Sequence, residues 1–190
     1  MLFWFVRNSL YLIMRFLYRV TVSGTENIPH DGPFIICANH IHSLDPGAIA
    51  VCVRRRLYFI AKKEIWNSPI KRPFLKPLGV FPVNRDAVDM KAYRRAIEVI
   101  NNGNGLLVFS QGHRMKDLTE FKSGAALFAL KTGVSIIPAG ITGTYKRKST
   151  IRVKIGAPIT MTEYQGRKVK SDVVDELMAH VVERVKELTK

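Results

Sequence analysis

The sequence is short of acidic residues and of cysteine, and it has no long unbroken apolar run. Fifteen Asp and Glu stand against thirty Lys and Arg in 190 residues, a formal net charge of +15. A chain with so little negative charge attracts anions: nucleic acid, anionic lipid head groups, phosphorylated substrates or an acidic carrier protein. Only two cysteines occur, Cys37 and Cys52. They show neither metal-ligand spacing nor a dense disulfide framework, which points to a reducing compartment. Repeats and low-complexity tracts are absent, and with 47% hydrophobic against 24% charged residues the chain is neither disordered nor a polytopic membrane protein. Its length suits one substantial core. A G-x-S-x-G nucleophile elbow is also missing, which excludes a serine nucleophile of that kind.

The N-terminus carries an apolar stretch interrupted by charge. In "MLFWFVRNSLYLIMRFLYRV", Arg7, Arg15 and Arg19 fall with Asn8, Tyr11 and Tyr18 within roughly a third of a helical turn. The remaining arc is apolar, with Phe5, Leu10, Leu12, Ile13 and Phe16. A spanning helix would hold three arginines near hydrocarbon, at about 2.5–3.5 kcal/mol each. A signal peptide would have an uninterrupted apolar core and a small-residue cleavage site. The segment is therefore expected to lie in the membrane interface with its arginines among lipid phosphates. This predicts an anchor over residues 1–20 and a globular domain over residues 21–190.

Beyond the anchor, short apolar runs alternate with helical patterns. "TVS", "FIICAN", "LYFIAK", "GVFPV", "LLVFS", "VSIIPAGI" and "IRVKI" read as strands, several continuous enough for burial on both faces. Asp45–Pro46 reads as a helix start with aspartate at the N-cap, and Ser171 as the cap of a C-terminal amphipathic helix. "AVDMKAYRRAIEVI" and "GAALFALKTG" supply further helices. The expected fold is a single α/β domain with a mixed, mainly parallel sheet flanked by helices. Polar clusters follow four of the strands: "NHIHSLD", "KKE", "NRD" and "QGHR". In such sheets, loops beyond the strands' carboxyl ends collect ligand chemistry.

His40 and Asp45 are five residues apart, about 140° apart on a regular helix. In a turn that leads into a helix, the chain can fold back so that Asp45 reaches the His40 ring, the alternative being that Asp45 only caps the helix. A histidine whose tautomer is fixed by a carboxylate is a general base. With no protein nucleophile beside the pair, the nucleophile belongs to the substrate. Arg85 and Arg114 lie beyond strand ends and suit a phosphate, which guanidinium binds bidentately. Gly112 allows close backbone approach. His42 has no fixed acidic partner in the sequence and reads as structural.

These blocks resemble the glycerolipid acyltransferases, the family that includes 1-acyl-sn-glycerol-3-phosphate acyltransferase. "NHIHSLD" resembles its N-H-x(4)-D motif. "GVFPVNR", "FSQGHR" and "VSIIPAGI" resemble its second, third and fourth blocks in order, so the likeness runs from about Gly32 to Gly143. The resemblance implies that His40, held by Asp45, deprotonates the free hydroxyl of lysophosphatidic acid for attack on the thioester of acyl-CoA or acyl carrier protein. These thioesters are co-substrates, with no cofactor and no metal. The substrate-binding set it implies is Arg85, Arg114, Gly112, Gln111, Lys62 and Asn39. It also implies peripheral placement on the cytoplasmic face of the cell membrane, against an anionic surface. The third block departs from the family's F-P-E-G-T-R: Ser110 replaces proline, Gln111 glutamate and His113 threonine. Gln111 hydrogen-bonds but cannot act as a carboxylate, which leaves open other acceptors: glycerol 3-phosphate, another lysophospholipid or a lyso-aminolipid. The rival class is a basic module for nucleic acid or anionic membrane, built on Arg54–Arg56 and the "KRKSTIRVK" tract. No zinc spacing or RNA-binding motif accompanies those tracts, so nucleic acid is not an expected partner.

Overall fold

The computed structural model describes residues 2–70, 72–84, 89–109 and 122–190. A seven-stranded sheet runs in the order β1 (Arg19–Ser23), β7 (Thr150–Ile155), β6 (Ile136–Gly143), β2 (Phe34–Ala38), β5 (Gly105–Phe109), β3 (Leu57–Lys62), β4 (Val80–Val83). All pairings are parallel except β6 with β7. The mixed, mainly parallel α/β sheet is the one the strand pattern predicts.

The continuous apolar runs are buried on both faces. In β2, Ile35 and Cys37 enter one core with α5 (Met90–Asn101), α6 (Gly124–Thr132) and α7 (Ser171–Leu188). The alternate residues Phe34, Ile36 and Ala38 enter a second core on the other face, with α1 (Leu2–Leu17) and α2 (Asp45–Cys52). A strand's period of two accounts for the division.

That arrangement positions the site. The chain leaves β2 for α2 on one face, and α6, which follows β5, lies on the opposite face. Adjacent strands whose connections depart to opposite faces define a switch point, and ligands of open α/β sheets bind outside the carboxyl ends there. The ends of β2, β5, β3, β4 and β6 share one edge of the sheet, and antiparallel β7 begins at that edge.

One local expectation is corrected here, and two features lie beyond the sequence reading. Ser171 is the first helical residue of α7 rather than its cap; Lys170 holds the cap position without a side-chain bond. Two four-residue helices, α3 (Lys63–Trp66) and α4 (Arg72–Leu75), follow β3; single turns have no periodicity to read. The N-terminal segment is helical, but it is joined to the domain. Met14 is 1% exposed and Leu10 lies against the same core. Gly47 of α2 permits the approach, since a Cβ there would lie 3.3 Å from Leu10.

Candidate active site

Asp45 stands at the first turn of α2, and its side chain does not cap that helix. It turns back into the loop it follows. Its Oδ2 accepts from the backbone N–H of Ile41 and of His42, both at 2.7 Å, and lies 2.8 Å from His40 Nδ1. Its Oδ1 accepts from the Tyr145 hydroxyl at 2.5 Å. The carboxylate is fully buried, and a buried carboxylate needs donors of this number.

The His40 ring is 12% exposed and stacks on Phe109 at the end of β5, with centroids 4.1 Å apart and planes 21° apart. With Nδ1–H donated to Asp45, the neutral ring carries its lone pair on Nε2, the tautomer a general base uses. Phe109 also lines an apolar cavity of about 240 Å³, whose walls include Leu44 and Pro46 of the loop and α2, Phe59 of β3 and Leu75 of α4. The imidazole therefore shares an aromatic wall with a space suited to an alkyl chain.

Asn39 and Lys62 of the implied substrate set, and Arg7 of the expected anchor, have these surroundings. Asn39, implied as a substrate ligand, is 3% exposed. Its amide bonds both ways with the backbone of Ile141, donating at 2.9 Å and accepting at 2.7 Å, so it clamps β2 to β6. Lys62 ends β3, half-exposed, with Nζ 3.7 Å from Glu64. Arg7 does not face lipid phosphate; its guanidinium donates to the carbonyls of Ala50, Val51 and Val53 at 3.2, 3.3 and 2.9 Å. These are orphan carbonyls at the C-terminus of α2, where a cation is favoured. Burial lowers the pKa of that guanidinium. Arg85, Gln111, Gly112 and Arg114 lie outside the described residues.

Tyr145 falls outside the sequence blocks singled out above. It sits just past β6, and the signal was available: like the other four clusters, "TYKRK" follows a strand whose end lies on the same edge. Its phenol is pushed well above the usual range by burial and then by the charge of Asp45. Among the described residues, no group of three or more His, Cys, Asp and Glu could hold a metal ion.

A family model described as Acyltransferase matches residues 19–142, from β1 to β6. A 1-acyl-sn-glycerol-3-phosphate acyltransferase of Borreliella burgdorferi is 33% identical over 66% of this chain and 52% of its own length. One of Bacillus subtilis is 25% identical over 84% of this chain and 83% of its own. The chain thus spans about half the length of the first of these relatives. The crystal structure of the 1-acyl-sn-glycerophosphate (LPA) acyltransferase PlsC from Thermotoga maritima superposes with a TM-score of 0.77 at 29% identity, covering 98% of this chain and 79% of that one. The family match takes in the strands and the loop that assemble His40, Asp45 and Phe109, and on it the chain belongs to the Acyltransferase family.

Proposed function

We propose that the protein transfers a fatty acyl group from an acyl thioester to the sn-2 hydroxyl of 1-acyl-sn-glycerol 3-phosphate, giving phosphatidic acid. The observation that carries the reading is the His40–Asp45 pair, 2.8 Å apart, with the carboxylate buried and bonded on both oxygens. The hydroxyl proton passes to Nε2 of His40 as its oxygen attacks the thioester carbonyl carbon. The carbon–sulfur bond then breaks, and the departing thiolate takes the proton from the imidazolium. Ester and free thiol result, with no acyl-enzyme. Asp45 stabilises the imidazolium meanwhile.

The apolar cavity beside Phe109 receives the fatty chain. Arg85 and Arg114 bind the phosphate, with Gly112, Gln111 and Lys62 as further contacts. The names of the relatives support lysophosphatidic acid as the acceptor. The donor is acyl-CoA or acyl carrier protein, acting as co-substrate without a cofactor.

Residues 1–20 serve as the interfacial anchor of the acyltransferase domain at 21–190, placing it peripherally on the cytoplasmic face of an anionic membrane. Phe5, Leu12, Ile13 and Phe16 are all more than half exposed, as are Ile70 and Phe74 around α4. Residues of α1, α3 and α4 line the same cavity, so α1 and α4, which carry exposed apolar side chains, also wall the space that receives the fatty chain. No helix among the described residues is long and apolar enough to cross a membrane.

The test is product formation from labelled lysophosphatidic acid with acyl-CoA and with acyl-loaded carrier protein. Glycerol 3-phosphate, another lysophospholipid and a lyso-aminolipid are run in parallel. Phosphatidic acid from at least one donor, at a kcat/KM about tenfold or more above the other acceptors, supports the reading. A stronger reaction on another acceptor moves the substrate, and transfer to none of them rejects an enzymatic role.

A further inference from the structure

The donors to Asp45 divide into two groups. Oδ2 is held by His40, Ile41 and His42, all from its own loop. Oδ1 is held by Tyr145, 100 residues away in the β6–β7 connection. Fixing one oxygen leaves the carboxylate free to turn about it, and a second fixed oxygen sets its plane. Hydrogen-bond strength depends on direction, so that plane decides how well the carboxylate meets Nδ1–H.

The phenol is itself held on three sides. Its ring stacks on His42 with centroids 4.1 Å and planes 16° apart, and the His42 ring accepts from the Leu44 backbone N–H at 3.3 Å. The Tyr18 ring, just beyond α1, meets it edge-on at 5.5 Å. The connection that carries Tyr145 is tied to the same segment: Lys148 N–H donates to Leu17 at 2.7 Å, and Arg19 N–H to Ser149 at 2.9 Å.

We propose that Tyr145 is a positioning residue for acyl transfer: it fixes the outer oxygen of Asp45, and through it the orientation and charge of His40. Nothing about Tyr145 requires contact with substrate; it acts through Asp45. The inference rests on the transfer reading above. The titratable groups that face the phenol are Asp45 and His42 from the β2–α2 loop, Tyr18 at the end of α1 and Cys52 of α2.

The test is Tyr145→Phe beside wild type and His40→Ala, in detergent micelles across pH. Phenylalanine keeps the ring and both aromatic contacts and removes one charge-assisted hydrogen bond. The expected result is a fall in kcat of about tenfold with KM for both substrates unchanged. The acidic limb of the kcat profile should also move to higher pH, because a carboxylate with one donor fewer holds the imidazolium proton more tightly. Loss of folded protein lowers kcat without moving that limb.

Should Tyr145→Phe not fold, His42→Ala decides. It removes the stacked ring but keeps the backbone donor to Asp45, and a smaller fall in kcat in the same direction is expected. Wild-type kcat and pH profile in the Tyr145 variant, or in His42→Ala in its place, overturn the proposal while an inactive His40→Ala leaves the transfer reading standing. No transfer by the wild type overturns both.

Discussion

At the residue scale, the groups that burial has changed make sharp expectations. The Cys52 thiol is pushed from an ordinary 9.0 up to about 12 by burial, with the nearby Arg7 charge only partly opposing it. Thiolate is the reactive form. So large a rise predicts that iodoacetamide labels Cys52 in the native protein on the order of a hundredfold or more slower than in urea, read by mass spectrometry at pH 8. Equal labelling in the two states would contradict the burial. The Tyr145 phenol is raised in the same direction. Between about pH 9 and 12 the unfolded chain gives up protons that the folded chain keeps. Stability from these groups is therefore complete below pH 9 and falls as pH rises, whereas acidification alone does not remove it. Asp45 illustrates what the sequence could and could not disclose. Its partnership with His40 was legible from five-residue spacing in a turn. The direction in which its side chain points, back to Ile41 and His42 and out to Tyr145, was not, because a donor 100 residues away leaves no trace in local spacing.

At the scale of elements, the central strands β2 and β6 were legible because burial on both faces writes itself as continuous apolar runs, whereas β7 shows as an alternation of buried and outward residues and β1 is largely exposed. The antiparallel return of β7 and the placing of β1 beside it were not legible, since pairing partners depend on how far the chain travels rather than on composition. Helix α1 shows how one sequence pattern can serve two surfaces. Met14 points into the core while Phe5, Leu12 and Phe16 point outward. Met14→Ala should lower stability by about 2–4 kcal/mol through the lost burial and the cavity, measured by urea unfolding. The triple change Phe5→Ser, Leu12→Ser, Phe16→Ser should leave stability within about 0.5 kcal/mol per site and abolish sedimentation with vesicles at about 1 M salt, where charge attraction is screened. A destabilised triple variant that still binds vesicles would reverse the assignment of the two faces. Arg7 joins the elements: removing it in Arg7→Met strips a cation from the C-terminus of α2. That should cost about 1–3 kcal/mol, seen as a lower Tm.

At the scale of the whole molecule, the excess of basic residues and the exposed apolar side chains act together. Charge attraction to anionic lipid is screened within about 10 Å at 0.1 M salt, whereas apolar insertion is not. Binding to vesicles containing phosphatidylglycerol should therefore weaken, but persist, as salt is raised to about 1 M. Complete release would leave charge as the whole attraction. On the function proposed above, membrane attachment would bring the lipid to the edge of the sheet, where the switch point between β2 and β5 sets His40 and Asp45 beside the apolar cavity. The central claim is that this pair moves the proton in acyl transfer. Its most direct test is the rate of transfer from labelled acyl thioester to lysophosphatidic acid, wild type beside His40→Ala. The predicted result is product from the wild type and a loss of about 100-fold or more in the variant, with the fold intact by circular dichroism. Equal rates in the two proteins would contradict it.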